Sequence, residues 1–543
     1  MRYKAAWPFP WDEHIGDYDR CIADERDTVR AFWEWRVNLT PDAPFVFSEE
    51  GAWTYGEFDR WINRLAHGLV ASGIGVGTHV ALLLPSGVNL LRLQLALQKA
   101  GAVWVPLIPT STYSEIAHVV NHAEARFLVT DADGWKTVAD GGGPGPAVRS
   151  FLTDAAIDGT EDLRALEIDD GESPKPSSAS GDDPMAIMYT SGSTGKPKGV
   201  VQPNIGYRTV AHAVAERMAI SAEDRWYCVM PLFHAGATHL VIGPAIAAGA
   251  SVVLRERFSR SAFWEDVRGN GTTASLLMPA MLSMLLTDPP RPDDRENPLR
   301  VLFSHIRHPD FVERFDVDVC PGWGMTETMG VGALTPANFP KHPPKMIGLA
   351  NPADAQLRVV SPDGDPLPPG EQGELCLNHP HMFKGYFRDP ENTALTLRDG
   401  WLHSGDVASI DDEGIVYFHG RLKNLIKRAG ENIAGEELEL LIMEHPAVEE
   451  CVVCGVPDPI WTEEVYATVQ VRKGRTVAPG EVAEWCAARL AHWKVPRYVE
   501  VVSAQLPTLP NGKTDRRAIA SAADPDRAWE KASNAAAAPT DGS

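Results

Sequence analysis

The chain has 543 residues, about three to four domain equivalents at roughly 100–200 residues each. Apolar residues make up 44% and charged residues 23%, which excludes a chain disordered throughout. The net charge of −23 excludes the basic face that binding a nucleic-acid duplex requires, though not a local basic groove for one nucleotide.

The N-terminus (MRYKAAWPFPWDEH) has no apolar stretch, so no secretory signal is expected and the protein is expected in the cytoplasm. Residues 79–84 form a continuous apolar run, as in a parallel strand covered on both faces. Residues 87–99 then take helical spacing, and 101–106 return to strand. This rhythm predicts an α/β fold, with a large N-terminal domain of doubly wound sheets. Residues 140–146 and 169–184, rich in Gly, Pro and Ser, are expected as surface loops. Residues 226–254 carry no Asp, Glu, Lys or Arg, but Pro231, His234, His239 and Pro244 interrupt the run. A buried strand–turn–helix fits this better than a membrane span.

The character changes near Gly420. A short strand at 425–427, a helix over 435–444, strands at 448–456 and 465–471, and a helix over 479–491 predict a smaller α+β domain. The seven cysteines are too sparse for a disulfide framework; Cys451 and Cys454, the only close pair, lie in an apolar strand and read as core. Residues 520–543, rich in Ala, Pro, Asp and Ser, are expected to be a disordered tail, with a helical extension as the alternative.

The most informative stretch is Tyr189-Thr-Ser-Gly-Ser-Thr-Gly-Lys-Pro-Lys-Gly199, directly after an apolar strand. Small residues let backbone N–H groups approach an anion, hydroxyls add donors, and Lys196 and Lys198 add positive charge. The glycine spacing is too short for a Walker A loop.

This loop resembles the phosphate-binding signature of the adenylate-forming superfamily, which includes acyl-CoA synthetases, luciferases and the adenylation domains of peptide synthetases. Four further segments match in order: Gly322-Trp-Gly-Met-Thr-Glu-Thr328, Trp401-Leu-His-Ser-Gly-Asp406, Gly420-Arg-Leu-Lys-Asn424 and Leu509-Pro-Asn-Gly-Lys513. The resemblance runs from about Asp42 to Arg517 and is specific because five motifs keep their order. It implies that Thr190, Ser191, Gly192, Ser193, Thr194, Gly195, Lys196 and Lys198 cradle the ATP phosphates. It implies that Thr326 meets the α-phosphate and that Glu327 offers a carboxylate to Mg2+, a cation that prefers oxygen ligands. Trp323 is expected to stack on adenine, Asp406 to accept from the ribose hydroxyls, and Arg421 to contact ribose or phosphate. Lys513 is expected to stabilise charge while the carboxylate attacks the α-phosphate.

The same resemblance implies an adenylation domain over 1–420, a hinge over 421–424, and a mobile lid over 425–519 carrying Lys513. Asn424 stands where the family has Asp or Lys as the hinge residue. Lys427, Arg428 and Gly430 resemble the loop facing the thiol tunnel. The two basic residues there are open to two readings, contacts to CoA phosphates or a solvated turn. His234 resembles the residue bordering the acyl pocket.

Three segments depart from the family. Gln202-Pro-Asn204 replaces a Thr-His pair. Phe303-Ser-His-Ile-Arg-His308 replaces a Gly-Gly-Ala-Pro-like turn. Thr462 precedes Glu463 where a Gly-Glu pair is usual. For His305 to His308 two readings stand: Arg307 pairs an anionic group of a small or polar acid, or the loop is only repacked.

The resemblance implies an AMP-forming acid–thiol ligase, with ATP, CoA and a small-molecule carboxylic acid as partners and no nucleic acid. The alternatives are transfer to a carrier-protein phosphopantetheine, an amine or another nucleophile, and a nucleotide-binding paralogue without turnover. The acid and the oligomeric state, monomer or dimer, are not readable from the sequence.

Overall fold

The computed structural model describes residues 27–154, 156–169, 173–175, 177–190, 197–349, 356–428, 431–509 and 513–531. The chain forms two compact units. One holds residues up to 357 with 377–402 and 414–416; the other holds 358–376, 403–413 and 417 onward. A change of character at one point near 420 predicts a single cut. The chain instead passes between units after 357, 376, 402, 413 and 416, within strands such as Gly373–Asn378 and Trp401–Ile410.

The first unit contains a seven-stranded and an eight-stranded sheet. The run at 79–84 becomes the strand His79–Leu83, parallel to Val103–Pro106 and Phe127–Thr130. Between the first two lies the helix Val88–Ala100, buried on almost every residue. Its polar side chains are satisfied inside: Arg92 donates to the Trp61 carbonyl, Gln94 to the Leu232 carbonyl and Gln98 to the Met185 carbonyl. Leu90, Leu93 and Leu97 share one core with Leu82 of the first sheet and Trp226 and Val252 of the second. The helix's one lysine, Lys99, is 1% exposed and would be costly there alone. Asp59 at 2.6 Å and Glu34 at 3.3 Å pair it, and Asn63 accepts from it at 2.6 Å.

In the second sheet the strands Arg225–Cys228, Ala274–Leu276, Val301–Ser304 and Asp318–Trp323 pair in parallel, so their C-terminal ends share one edge. The uncharged stretch 226–254 is the buried strand–turn–helix expected. Arg225–Cys228 leads into helical turns over Ala235–Ala237, a π-helical segment Thr238–Ile242 and the helix Gly243–Ala248. Gly249, at φ +77°, ends that helix before the strand Ser251–Leu254. Among the described residues no helix is long and apolar enough to cross a membrane.

The second unit holds most of the strands Gln356–Val360, Gly373–Asn378, Trp401–Ile410 and Ile415–Arg421. It also holds a sheet in which Thr462–Val471 is central, antiparallel to Val448–Asp458 and parallel to Tyr498–Val502. Helices Gly435–Met443 and Pro479–Ala487 pack on it through Leu438, Ile442, Val482 and Cys486. Cys451 is buried in this core and Cys454 half-buried, as their strand predicts.

The expected tail from 520 is corrected for its first part. The helix Arg516–Ala522 runs through 519, and Trp529–Glu530 pairs antiparallel with Tyr498–Val502. Burial of Ile519 and the ion pair Arg497–Glu530 at 2.8 Å hold this segment, which composition alone hides. Residues 532–543 lie outside the described residues.

Candidate active site

In the first unit the site grows from the C-terminal edge of the parallel strands, where open α/β sheets bind ligands. Among the connections that leave that edge are Pro231 to Ala237, His305 to His308, and Gly324 to Thr328. The last begins with a sharp turn at Gly324, where a Cβ would lie 2.1 Å from the Gly330 carbonyl oxygen. A 3-10 turn, Thr326–Thr328, follows and presents Thr326 and Glu327.

Glu327 is 5% exposed, and the Tyr386 hydroxyl donates to its Oε1 at 2.7 Å. Burial and this carboxylate raise the Tyr386 pKa, so the phenol remains a donor. A buried carboxylate aimed by a phenol is a hard oxygen donor of the kind Mg2+ selects, so the residues present fit that ion. Gln202 Nε2 donates to the Thr326 carbonyl at 3.0 Å. The missing Thr-His pair is thus replaced by an amide that braces the backbone of the same turn.

Trp323 is buried; its ring packs where a Cβ on Gly332 would come within 2.5 Å. That contact anchors the ring in the core. Thr190 and Lys198 face each other at the base of a hairpin formed by Pro184–Thr190 and Lys198–Pro203. Ser191, Gly192, Ser193, Thr194, Gly195 and Lys196 at its tip lie outside the described residues. Lys198 Nζ donates to Asn392 Oδ1 at 2.6 Å and lies 4.9 Å from the centre of the Tyr386 ring. Tyr386 therefore joins the base of this hairpin to Glu327.

His234 is half-buried at the N-terminal boundary of Ala235–Ala237, with its ring 4.9 Å from that of Phe233. Arg307 Nη1 donates to Asp318 Oδ1 and to the Val319 carbonyl, both at 2.8 Å. His305 Nδ1–H faces the Gly322 carbonyl at 3.1 Å. Both basic side chains are thus engaged by the neighbouring strand, which favours the repacked-loop reading of this segment.

In the second unit Asp406 is 2% exposed, with Arg421 Nε 2.8 Å from its Oδ1. Its backbone N–H donates to Ser404 Oγ at 3.0 Å. Lys513 is exposed as a residue, yet burial around its ammonium and the Arg421 charge lower its pKa. The backbone around it closes a turn through Leu509 N–H to the Lys513 carbonyl at 2.7 Å. Beyond the turn, Thr514 donates to Glu450, and Arg516 grips Glu439 through two bonds of 2.6 and 2.5 Å.

Asn424 ends the 3-10 turn Leu422–Asn424 and donates to Glu436 in the first turn of the helix Gly435–Met443. Lys427 is exposed, while its backbone N–H donates to Glu463 at 2.6 Å. Arg428 is bound by Glu464 through bonds of 3.0 and 2.8 Å and covers the Trp461 ring at 4.8 Å. Its charge is thereby committed inside the unit. Gly430 lies outside the described residues.

Sequence reasoning missed Tyr386 and Asn392. Their only signal is a Gly-Tyr-Phe run some 60 residues beyond Glu327, which becomes meaningful only once folding joins them.

The model for "AMP-binding enzyme" matches residues 33–387, and that for "AMP-binding enzyme C-terminal domain" matches 437–513. Feruloyl-CoA synthase of Amycolatopsis is 35% identical over 491 residues, covering 88% of this chain and 95% of its own. Crotonobetaine/carnitine–CoA ligase of Escherichia coli O8 is 33% identical over 481 residues, covering 86% and 92%. The crystal structure of ATP-bound MatB from Rhodopseudomonas palustris superposes with a TM-score of 0.79 at 27% identity, covering 90% of this chain and 98% of that one. With both its family regions matched in order and its parallel-sheet edge carrying the Thr326–Glu327 turn, the chain belongs to the AMP-binding enzyme family.

Proposed function

We propose that the chain is an AMP-forming carboxylic acid–CoA ligase. In the first step a carboxylate oxygen attacks the α-phosphorus of ATP, the bond to the β-phosphate oxygen breaks, and pyrophosphate leaves with its electron pair. In the second, the CoA thiolate attacks the acyl carbon and AMP departs, leaving a thioester. The observation that carries the reading is the Thr326–Glu327 turn. It holds a hydroxyl and a buried carboxylate aimed by Tyr386 at the edge where such sheets bind ligands.

In this reading the loop from Thr190 to Lys198 receives the phosphates and Thr326 donates to the α-phosphate. Asp406 accepts from the ribose hydroxyls. Arg421 neutralises phosphate charge and orients the Asp406 carboxylate it already touches. Lys513 brings a positive charge to the oxygens on which charge grows in the displacement. Mg2+, held by Glu327, supplies charge neutralisation of the phosphates. The hinge is Asn424, whose amide tolerates unusual backbone angles, and the lid it carries presents different faces to the two steps. Lys427 is the exposed basic residue available to CoA phosphates. Dependence on ATP and CoA, both intracellular metabolites, supports a cytoplasmic enzyme.

The test is pyrophosphate release from ATP, Mg2+ and a panel of carboxylic acids, read with and without CoA. The expected result is acid-dependent pyrophosphate release, with AMP release that rises when CoA is added. AMP release unchanged by CoA would transfer the second step to a carrier thiol or an amine. No acid-dependent pyrophosphate from any acid would overturn adenylation itself.

A further inference from the structure

Outside the residues assigned above, one cluster in the second unit gathers three different electron-pair donors. Glu374 and Cys376 lie on the strand Gly373–Asn378, and His403 lies on the neighbouring strand Trp401–Ile410. Their ligand atoms fall within 4.8 Å of one another. His403 Nδ1 is 2.7 Å from Glu374 Oε2 and 3.4 Å from Cys376 Sγ. One ring nitrogen thus faces a carboxylate oxygen and a sulfur whose own S–H is directed at the Glu374 carbonyl, 3.8 Å away, so lone pairs of nitrogen, oxygen and sulfur face one another.

We propose that Glu374, Cys376 and His403 form a binding site for a zinc-class divalent cation. The donor set selects the ion: a thiolate and an imidazole favour Zn2+ over Mg2+ or Ca2+, and the carboxylate supplies a third ligand. The scaffold is already built. Glu374 Oε1 accepts from the Gly405 N–H at 3.0 Å, which holds the carboxylate from outside and turns Oε2 toward the histidine. Ser404 Oγ donates to the Leu375 carbonyl at 2.6 Å and clips the two strands together between the donors. Zinc bonds of about 2.0–2.3 Å in tetrahedral geometry separate donor atoms by roughly 3.4–3.6 Å. The Cys376–His403 distance already meets that; the Glu374–His403 distance needs to open by about 0.7 Å. Cys376 is fully buried, while the Glu374 side chain is 14% and the His403 side chain 7% exposed, so an ion would enter on their side. On binding, the Cys376 S–H bond breaks, its proton goes to water and the S–metal bond forms. A water completes the fourth position.

The test uses the full, untagged chain freed of metal by a chelator. One equivalent of Co2+ is expected to give a thiolate-to-cobalt charge-transfer band in the near ultraviolet, displaced by one equivalent of Zn2+. Cys376→Ser is expected to abolish the band, while Cys454→Ser leaves it intact. Glu374→Gln is expected to keep the band but weaken Zn2+ binding about 10-fold. Zn2+ is expected to raise the melting temperature of the wild type and not that of Cys376→Ser, since an ion bound by the folded state stabilises it. Far-ultraviolet circular dichroism checks that each variant folds. No band in the wild type, a band that survives Cys376→Ser, or unchanged Zn2+ affinity in Glu374→Gln would overturn the proposal and leave a plain Glu–His hydrogen bond.

Discussion

Glu327 and Lys513 carry opposite charges and stand in opposite settings. Glu327 is 5% exposed, on a turn braced by Gln202 at its backbone and by Tyr386 at its carboxylate. Lys513 is exposed as a residue, and the chain just after it is fixed by Thr514 with Glu450 and Arg516 with Glu439. In the roles proposed above, a carboxylate that holds an ion is fixed through backbone and side chain together, whereas an ammonium brought in by a moving segment is anchored through the residues that follow it. In each setting the anchors were less visible than the residue they serve.

The sharpest way to break this contrast is to remove the Lys513 ammonium. Lys513→Ala is expected to slow adenylate formation by about 10²–10³-fold, the scale for one preorganised charge. Thioester formation from supplied acyl-adenylate is expected to change little. Equal loss in both half-reactions would mean that Lys513 is a fixture of the site rather than a visitor.

Loosening the fixed group is the next test. Tyr386→Phe is expected to raise the Mg2+ concentration for half-maximal rate about 10-fold, the cost of losing a partner that orients a ligand. The rate at saturating Mg2+ is expected to recover most of the loss. An unchanged Mg2+ dependence with a lower maximal rate would mean that the phenol serves the fold alone.

A third test reads the charge environment of Lys513. Its pKa lies below that of an ordinary lysine because of burial and then Arg421. The cationic form is lost as pH rises through that lowered value, so the basic limb of kcat/KM for adenylation is expected below the usual lysine range. Arg421→Gln removes the repelling charge and is expected to move the limb to higher pH. A limb that stays in place, or moves lower, would separate the two residues.

The smallest effect concerns the second unit alone. Thr462 adopts φ +70°, a left-handed conformation that a β-branched residue rarely takes. Thr462→Gly is expected to stabilise the protein by about 1 kcal/mol in denaturant unfolding. Loss of stability would mean that the threonine side chain returns more than its backbone costs.

That position shows what the sequence could and could not tell. The absence of glycine before Glu463 was visible as a departure, but the left-handed backbone that makes glycine usual there was not. The strand His79–Leu83 was legible because burial on both faces leaves a nearly unbroken apolar run, and the helix Val88–Ala100 because its leucines recur at helical spacing. Periodicity extended the helix at 479 to 491, whereas the helix stops at Ala487 and a separate 3-10 turn follows at His492–Lys494. Motifs placed Thr326, Glu327, Asp406 and Lys513 as candidates. They were silent on Tyr386 and on the commitment of Arg307 to Asp318 and of Arg428 to Glu464, since those partners meet only through the fold. The strand Trp529–Glu530 was hidden for the same reason: two residues carry no period, only a neighbour.

The repeated passage of the chain between its units has a consequence for anyone who would exchange parts among relatives. No one pair of scissors frees either half. A graft that replaced everything after 420 would leave 358–376 and 403–413 behind with their old host. A chimera that keeps each strand with the sheet it was selected for needs several seams, placed between strands and not through them.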